Sequence, residues 1–188
     1  MATWTLLALL ACSPAPDPLP DWRSSLEAWR HPQPLPPLPF QDGGTRRTLV
    51  DLQGRWTLVA FVFTRCGNAE ACPLTMQRLA SLQEGLGGDA QLAVFTLDPT
   101  YDSAERMAAY ATAHGLEPDG LVLGTLPDGA DPALLGEALP SLFNVYGLGE
   151  GPGMTHPTRV SLIAPDGTEA AHWEARELEL AVVRAAMQ

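Results

Sequence analysis

Cys66 and Cys72 stand where a near-continuous apolar run gives way to a helix-forming stretch, with Gly67-Asn68-Ala69-Glu70-Ala71 between them. At the start of a helix, unpaired backbone N–H groups and the positive end of the dipole favour thiolate, the form that attacks disulfides and binds soft metals. Cys72, immediately before Pro73, is therefore expected to have a lowered pKa, with Glu70 in the loop pushing the other way. Such a pair serves metal binding, thiol–disulfide exchange, or a structural disulfide that stabilises by restricting the unfolded chain. The last is disfavoured because a domain with this large an apolar core seldom needs one.

His156 is the third residue of interest. It lies just before an apolar, β-branched segment, Thr158–Ala164, and in a thioredoxin-like topology the loop preceding that strand packs beside the cysteine loop. Two thiolates and an imidazole make a three-coordinate site for Cu(I), with room for a further ligand to Cu(II). Zinc normally takes a fourth protein ligand, which the sequence does not offer. Met154 is a thioether close by, but a loop methionine more often packs than ligates. His31, His114 and His172 are expected in ordinary surface or tether roles. Peroxidase chemistry fits poorly: Arg159 offers a cation, yet the loop around Cys66 lacks the activating pattern.

The elements that must position these residues follow the chain. Asp42-Gly43-Gly44 reads as a turn, with a strand at Arg47–Val50 and a second turn at Gln53-Gly54. Trp56–Phe63 has the composition of a strand buried on both faces of a parallel sheet. Apolar residues at Met76, Leu79, Leu82 and Leu86 predict a helix from Pro73 to Glu84, ended by Gly85. Gln91–Leu97 is a second buried strand, and Asp102-Ser-Ala-Glu105 predicts a carboxylate-capped helix running to Gly115. Leu121–Leu123 is a short strand and Asp131-Pro132 opens a helix to Leu139. Thr158–Ala164 and Thr168–Trp173 form a hairpin about Pro165-Asp166-Gly167, and Arg176–Met187 closes the chain as a helix. The fold class is α/β, thioredoxin-like: a central mixed sheet flanked by helices, with an N-terminal β-hairpin extension.

Ahead of this domain, residues 40–188, lie two segments of different character. Thr5–Ala11 is apolar but far short of the roughly 20 residues a spanning helix needs, so residues 1–12 read as a signal peptide. It ends in Leu9-Leu10-Ala11-Cys12, which resembles a bacterial lipobox in which Cys12 is acylated. Residues 13–39 hold the Pro-rich run Pro32-Gln-Pro-Leu-Pro-Pro-Leu-Pro39 and read as a stiff tether. With 22 acidic residues against 11 arginines and no lysine, net charge is −11. Nucleic acid and anionic bilayers would repel such a chain, so membrane attachment rests on the lipid at Cys12. The expected location is extracytoplasmic, on the periplasmic side of a bacterial membrane.

Several stretches in order resemble the Sco/SenC family: Val62-Phe63-Thr64-Arg65-Cys66 through Cys72-Pro73-Leu74-Thr75, Thr96–Glu105, Phe143-Asn144-Val145-Tyr146, and His156 ahead of Ala164-Pro165-Asp166-Gly167. The resemblance covers about residues 40–173. It implies a membrane-tethered thioredoxin fold that binds copper through Cys66, Cys72 and His156. It further implies delivery of copper to the copper-A site of cytochrome c oxidase, or reduction of that site's cysteines. The partner is then the oxidase's copper-A subunit or another copper or thiol protein, and the chain is a metallochaperone rather than an enzyme. If it is an enzyme, it is a thiol–disulfide oxidoreductase using Cys66 and Cys72 without metal, with His156 dispensable. The family's usual loop has three residues between the cysteines and a proline after the first; the five here alter ligand angles and disulfide strain. His156-Pro157-Thr158 also resembles the segment that carries a cis-proline in thioredoxins, and Asp98 and Asp102 resemble the family's Asp-Pro loop, where they cap and shape.

Overall fold

The computed structural model describes residues 35, 37–131, 154 and 156–188. Cys12 and the signal segment, nearly all of the tether, the helix expected from Asp131-Pro132 and the Phe143–Tyr146 motif lie outside them. The described residues fall within one compact unit, Pro32–Gln188.

Strand β3, Trp56–Val62, is built of residues that have no polar face to turn to water, and the sheet gives it none. It pairs in parallel along its length with β4, Ala90–Thr96, and antiparallel on its other side with β6, Arg159–Ile163. Seven strands run in the order β2-β1-β5-β4-β3-β6-β7, a mixed sheet in which β5 is Leu121–Thr125 and β7 is Glu169–Glu174. The hairpin β1, Pro39–Asp42, and β2, Thr45–Thr48, joins through an antiparallel contact with β5. It is the expected N-terminal extension, though β2 ends earlier than the sequence suggests. There the Asp51 carboxylate accepts the Thr48 N–H at 2.6 Å and turns the chain into a 3-10 segment, Leu49–Leu52, whose leucines are buried. The core also reaches back into the stretch read as tether: Leu35 is 6% exposed and its N–H donates to Gly167 O at 2.9 Å.

Helix α1, Cys72–Leu86, links β3 to β4 and buries Cys72, Thr75, Met76, Leu79, Leu82 and Leu86, the spacing of one helical face. Gly85 does not end it. That glycine lies inside the helix, where an added Cβ would come within 2.5 Å of Leu180, and Gly87 with φ +55° terminates the element. Leu180 opens α3, Leu180–Ala186, so the missing side chain at Gly85 is what lets the last helix approach the first. The closing segment is also not one helix: a 3-10 turn, Ala175–Glu177, precedes the extended Leu178, which inserts into the core at 1% exposure. Helix α2, Ala104–Ala113, links β4 to β5.

Packing is close where β4 meets the hairpin. The Phe95 ring meets Phe40 edge-on at 5.0 Å and Phe61 at 5.6 Å, and lies over Gly124, where an added Cβ would fall 2.0 Å from it. Gly124→Ala is expected to destabilise the fold by about 1–3 kcal/mol through overpacking. A denaturant midpoint equal to wild type would show that the aromatic cluster yields without cost.

Candidate functional site

The sheet delivers Cys66 just past the C-terminal end of β3, and α1 begins at Cys72. Both cysteines are free thiols; Cys66 is half-buried and Cys72 fully buried. His156, 84 positions further on, enters ahead of β6 and brings Nε2 to 3.2 Å from the Cys72 Sγ. Its ring stands edge-on to Phe63 at 5.7 Å between centroids. The other ring nitrogen, Nδ1, lies 2.8 Å from Pro157 O. A carbonyl only accepts, so Nδ1 carries the proton. Burial lowers the pKa of His156 and the Pro157 carbonyl offsets this only in part, which keeps the ring neutral near pH 7. Nε2 therefore presents a lone pair toward Cys72, the tautomer required of a metal ligand.

The Cys72 thiol departs from the sequence expectation. Burial pushes its pKa well above the usual thiol range; a hydrogen bond with the Phe63 backbone opposes the shift, and the adjacent Cys66 thiol adds to it. The helix start cannot overcome this, because Pro73 in the first turn has no N–H and the sulfur is screened from water. Glu70 is exposed and is not among the causes. The five-residue loop folds on Asn68, whose Oδ1 accepts the Glu70 N–H at 3.0 Å and whose carbonyl accepts the Ala71 N–H at 3.1 Å. The Cys66 thiol also points at that carbonyl, at 3.7 Å. Among the described residues no three His, Cys, Asp or Glu side chains are gathered as a metal site, so Cys72 and His156 are brought together while Cys66 stands beside them on its loop. Met154 packs against the core. The His156–Pro157 peptide is not cis, contrary to the thioredoxin-like expectation.

The root of the loop is held by two carboxylates. Asp102, 1% exposed, accepts the Thr64 N–H at 3.1 Å, the Thr64 hydroxyl, and the Thr96 hydroxyl at 2.6 Å. It was expected to cap α2; instead Ser103 is the N-cap, accepting the Arg106 N–H at 3.4 Å, and Asp102 turns inward. Asp98, also buried, accepts Arg65 Nε–H at 3.0 Å and a second bond from the same guanidinium. Both carboxylates thus shape the loop, as their place in the sequence implied. Outside them, Tyr101 is exposed, with the Arg65 and Arg106 guanidinium groups 4.1 and 4.3 Å from its ring centroid. Arg159 is occupied by Glu169 on β7, which removes it from any part at the cysteines.

Asp102 on Thr64 and Arg65 on Asp98 escaped the sequence reading, because each partner lies more than thirty positions away.

The SCO1/SenC family profile matches residues 39–187, nearly the whole of the described unit. This chain belongs to the SCO1/SenC family. No curated protein sequence matches it. Its fold is that of solved SCO1/SenC structures. A SCO1/SenC family lipoprotein from Bacillus anthracis str. Ames superposes with TM-score 0.73 at 22% identity, over 84% of this chain and 96% of that one. BsSco, described with a disulfide switch as a member of the Sco family of cytochrome c oxidase assembly proteins, gives 0.71 at 22% identity over 83% and 92%. Arabidopsis thaliana ScoI with copper bound gives 0.64 at 21% identity over 82% and 98%. Among the described residues, no helix of this SCO1/SenC chain is long and apolar enough to cross a membrane.

Proposed function

We propose that this chain is a copper metallochaperone, anchored by lipid at Cys12 on the periplasmic side of a bacterial membrane. Its cargo goes to the copper-A subunit of a cytochrome c oxidase or to another copper or thiol protein. The observation that carries the reading is the Cys72–His156 contact at 3.2 Å, with Nδ1 tied to Pro157 so that Nε2 faces the sulfur as a lone pair. A thiolate and a neutral imidazole are donors suited to Cu(I). Cys66 supplies the third donor and is the one exposed enough for an incoming partner thiolate to reach, so cargo leaves by ligand exchange from that side. Copper-bound ScoI structures from Arabidopsis thaliana and Bradyrhizobium japonicum share the fold and support the choice of metal.

The test is an anaerobic competition titration of the reduced chain, carrying Cys12→Ser, with Cu(I) and a competing chelator. One tightly held equivalent is expected, with a thiolate-to-copper charge-transfer band for the Cu(II) form. No binding beyond the chelator would sink the copper reading and leave the second: a thiol–disulfide oxidoreductase working without metal. That alternative is favoured by one observation, the contact of two free thiols, Cys66 and Cys72, which sets a disulfide within reach.

A further inference from the structure

Tyr101, 37% exposed, is a large aromatic side chain left on the surface at the rim of the site. The sheet fixes its place. Strands β3 and β4 run in parallel up to Val62 and Thr96, so the cysteine loop and the loop holding Asp98 and Tyr101 leave the same end of neighbouring strands. Asp102 ties the two loops through the Thr64 N–H, and Arg65 Nε–H reaches across to Asp98. Arg65 is adjacent to Cys66 in the chain, and its guanidinium lies 4.1 Å from the Tyr101 ring centroid. Arg106, in the first turn of α2, brings a second to 4.3 Å. Both cations are held, Arg65 by two bonds to Asp98 and Arg106 by a bond to Tyr101 O. Only one is neutralised. Asp98 balances Arg65, whereas Arg106 has no carboxylate within ion-pair distance among the described residues, and its neighbour Glu105 turns back on Ser103. In a chain of net charge −11, an unpaired cation beside the more accessible thiol stands out from the rest of the surface.

We propose that Tyr101, with Arg65 and Arg106 about it, is the docking surface for the protein partner, and that the partner presents carboxylates beside its receiving cysteine. This rests on the proposed exchange of a partner thiolate at Cys66. Tyrosine and arginine supply much of the binding energy in protein interfaces. Here their positions are set before encounter, so little side-chain freedom is lost on binding. Arg106 gives one N–H to Tyr101 O, which leaves most of its planar fork to grip a carboxylate. The acid-rich remainder of the chain repels such a partner and thereby favours the approach that brings its cysteine to Cys66.

The test uses two synthetic peptides, each carrying its single cysteine as the thiopyridyl disulfide. One has Asp and Glu on both sides of the cysteine, and the other has Asn and Gln in their place. Each is added to the reduced full chain carrying Cys12→Ser. The Cys66 thiolate attacks the peptide sulfur, forming a disulfide with the peptide and expelling pyridinethiolate, which takes up a proton and is read as thiopyridone by its absorbance. The ratio of the two initial rates cancels any change in the reactivity of the Cys66 thiol itself. At ~0.15 M ionic strength, where exposed charges are screened beyond about 8 Å, the ratio reports local contacts rather than the net charge of the chain. The acidic peptide should react about threefold to tenfold faster than the neutral one, the worth of one or two exposed ion pairs. In Arg106→Gln the ratio should fall to about one with the neutral peptide's rate unchanged. Tyr101→Ala should at least halve the ratio by releasing the guanidinium groups. A ratio near one in the parent, a parent-like ratio in either variant, or no reaction with either peptide would overturn the proposal. Copper binding is read separately: the titration can fail with the peptide preference intact, and the preference can be absent from a chain that holds copper.

Discussion

The His156→Ala chain should bind Cu(I) at least about a hundredfold more weakly than the parent, since losing even an outer-shell partner of a metal ligand costs about 10–100-fold. The effect is expected to be large because, among the described residues, nothing else near the sulfur can substitute. Met154 packs against the core, His114 and His172 belong to other parts of the fold, and Asp98 and Asp102 are engaged by Arg65, Thr64 and Thr96. The fold should survive, as His156 is only half-buried and its polar partners are the Cys72 sulfur and its neighbour's carbonyl. Competition titration against a Cu(I) chelator, with circular dichroism as a control for folding, reads both. An affinity and charge-transfer spectrum unchanged from the parent would remove His156 from the site and, with it, the metallochaperone reading.

Asp102→Ala is expected to cost about 3 kcal/mol of stability, the largest loss from a single polar side chain here. The carboxylate is buried and takes three bonds at once, one from backbone and two from hydroxyls. Its removal strands the Thr64 N–H in a dry site, where an unpaired buried donor costs about 1–3 kcal/mol, and the hydroxyls of Thr64 and Thr96 recover only in part by rotating. For a domain of this size that corresponds to a fall in Tm of roughly 6–12 °C. Because Thr64 precedes Cys66 by two residues, Cu(I) affinity should fall as well, with β3 and β4 still paired. A melting temperature within a degree or two of the parent would show that the latch is not needed to hold the loop.

Much of this architecture is legible in the sequence wherever one residue type has one use. The apolar, β-branched stretch from Trp56 has no placement but a doubly covered strand, and Met76, Leu79, Leu82 and Leu86 share a face only as a helix. The site was legible to the same degree: two cysteines flanking a strand-to-helix junction, and a histidine before the strand that the topology lays alongside. What escaped depends on partners distant along the chain. Asp102 and Ser103 are adjacent and both are good caps; the choice of Ser103 is made by Thr64, 38 positions away, which draws Asp102 inward. Gly85 and Gly87 are both apt to end a helix, and Leu180 decides between them by occupying the space above Gly85. The Cys72 error has the same origin. A sequence displays the helix start that would acidify the thiol, but not the packing that keeps water from the sulfur.

The two outermost strands have a consequence beyond the site. Nothing among the described residues pairs with the free side of β2 or of β7, and an unpaired strand edge is a template on which another chain can extend the sheet. Here β2 carries Arg46 and Arg47 in four residues, and β7 carries Glu169, His172 and Glu174, with a register irregularity against β6 at Leu162/Ile163. Charges that would be stripped of water on pairing, and a local break in the ladder, make both borders poor nuclei for intermolecular β-assembly. Crowded copies of this chain are thus kept from zipping into fibres by the composition of their margins.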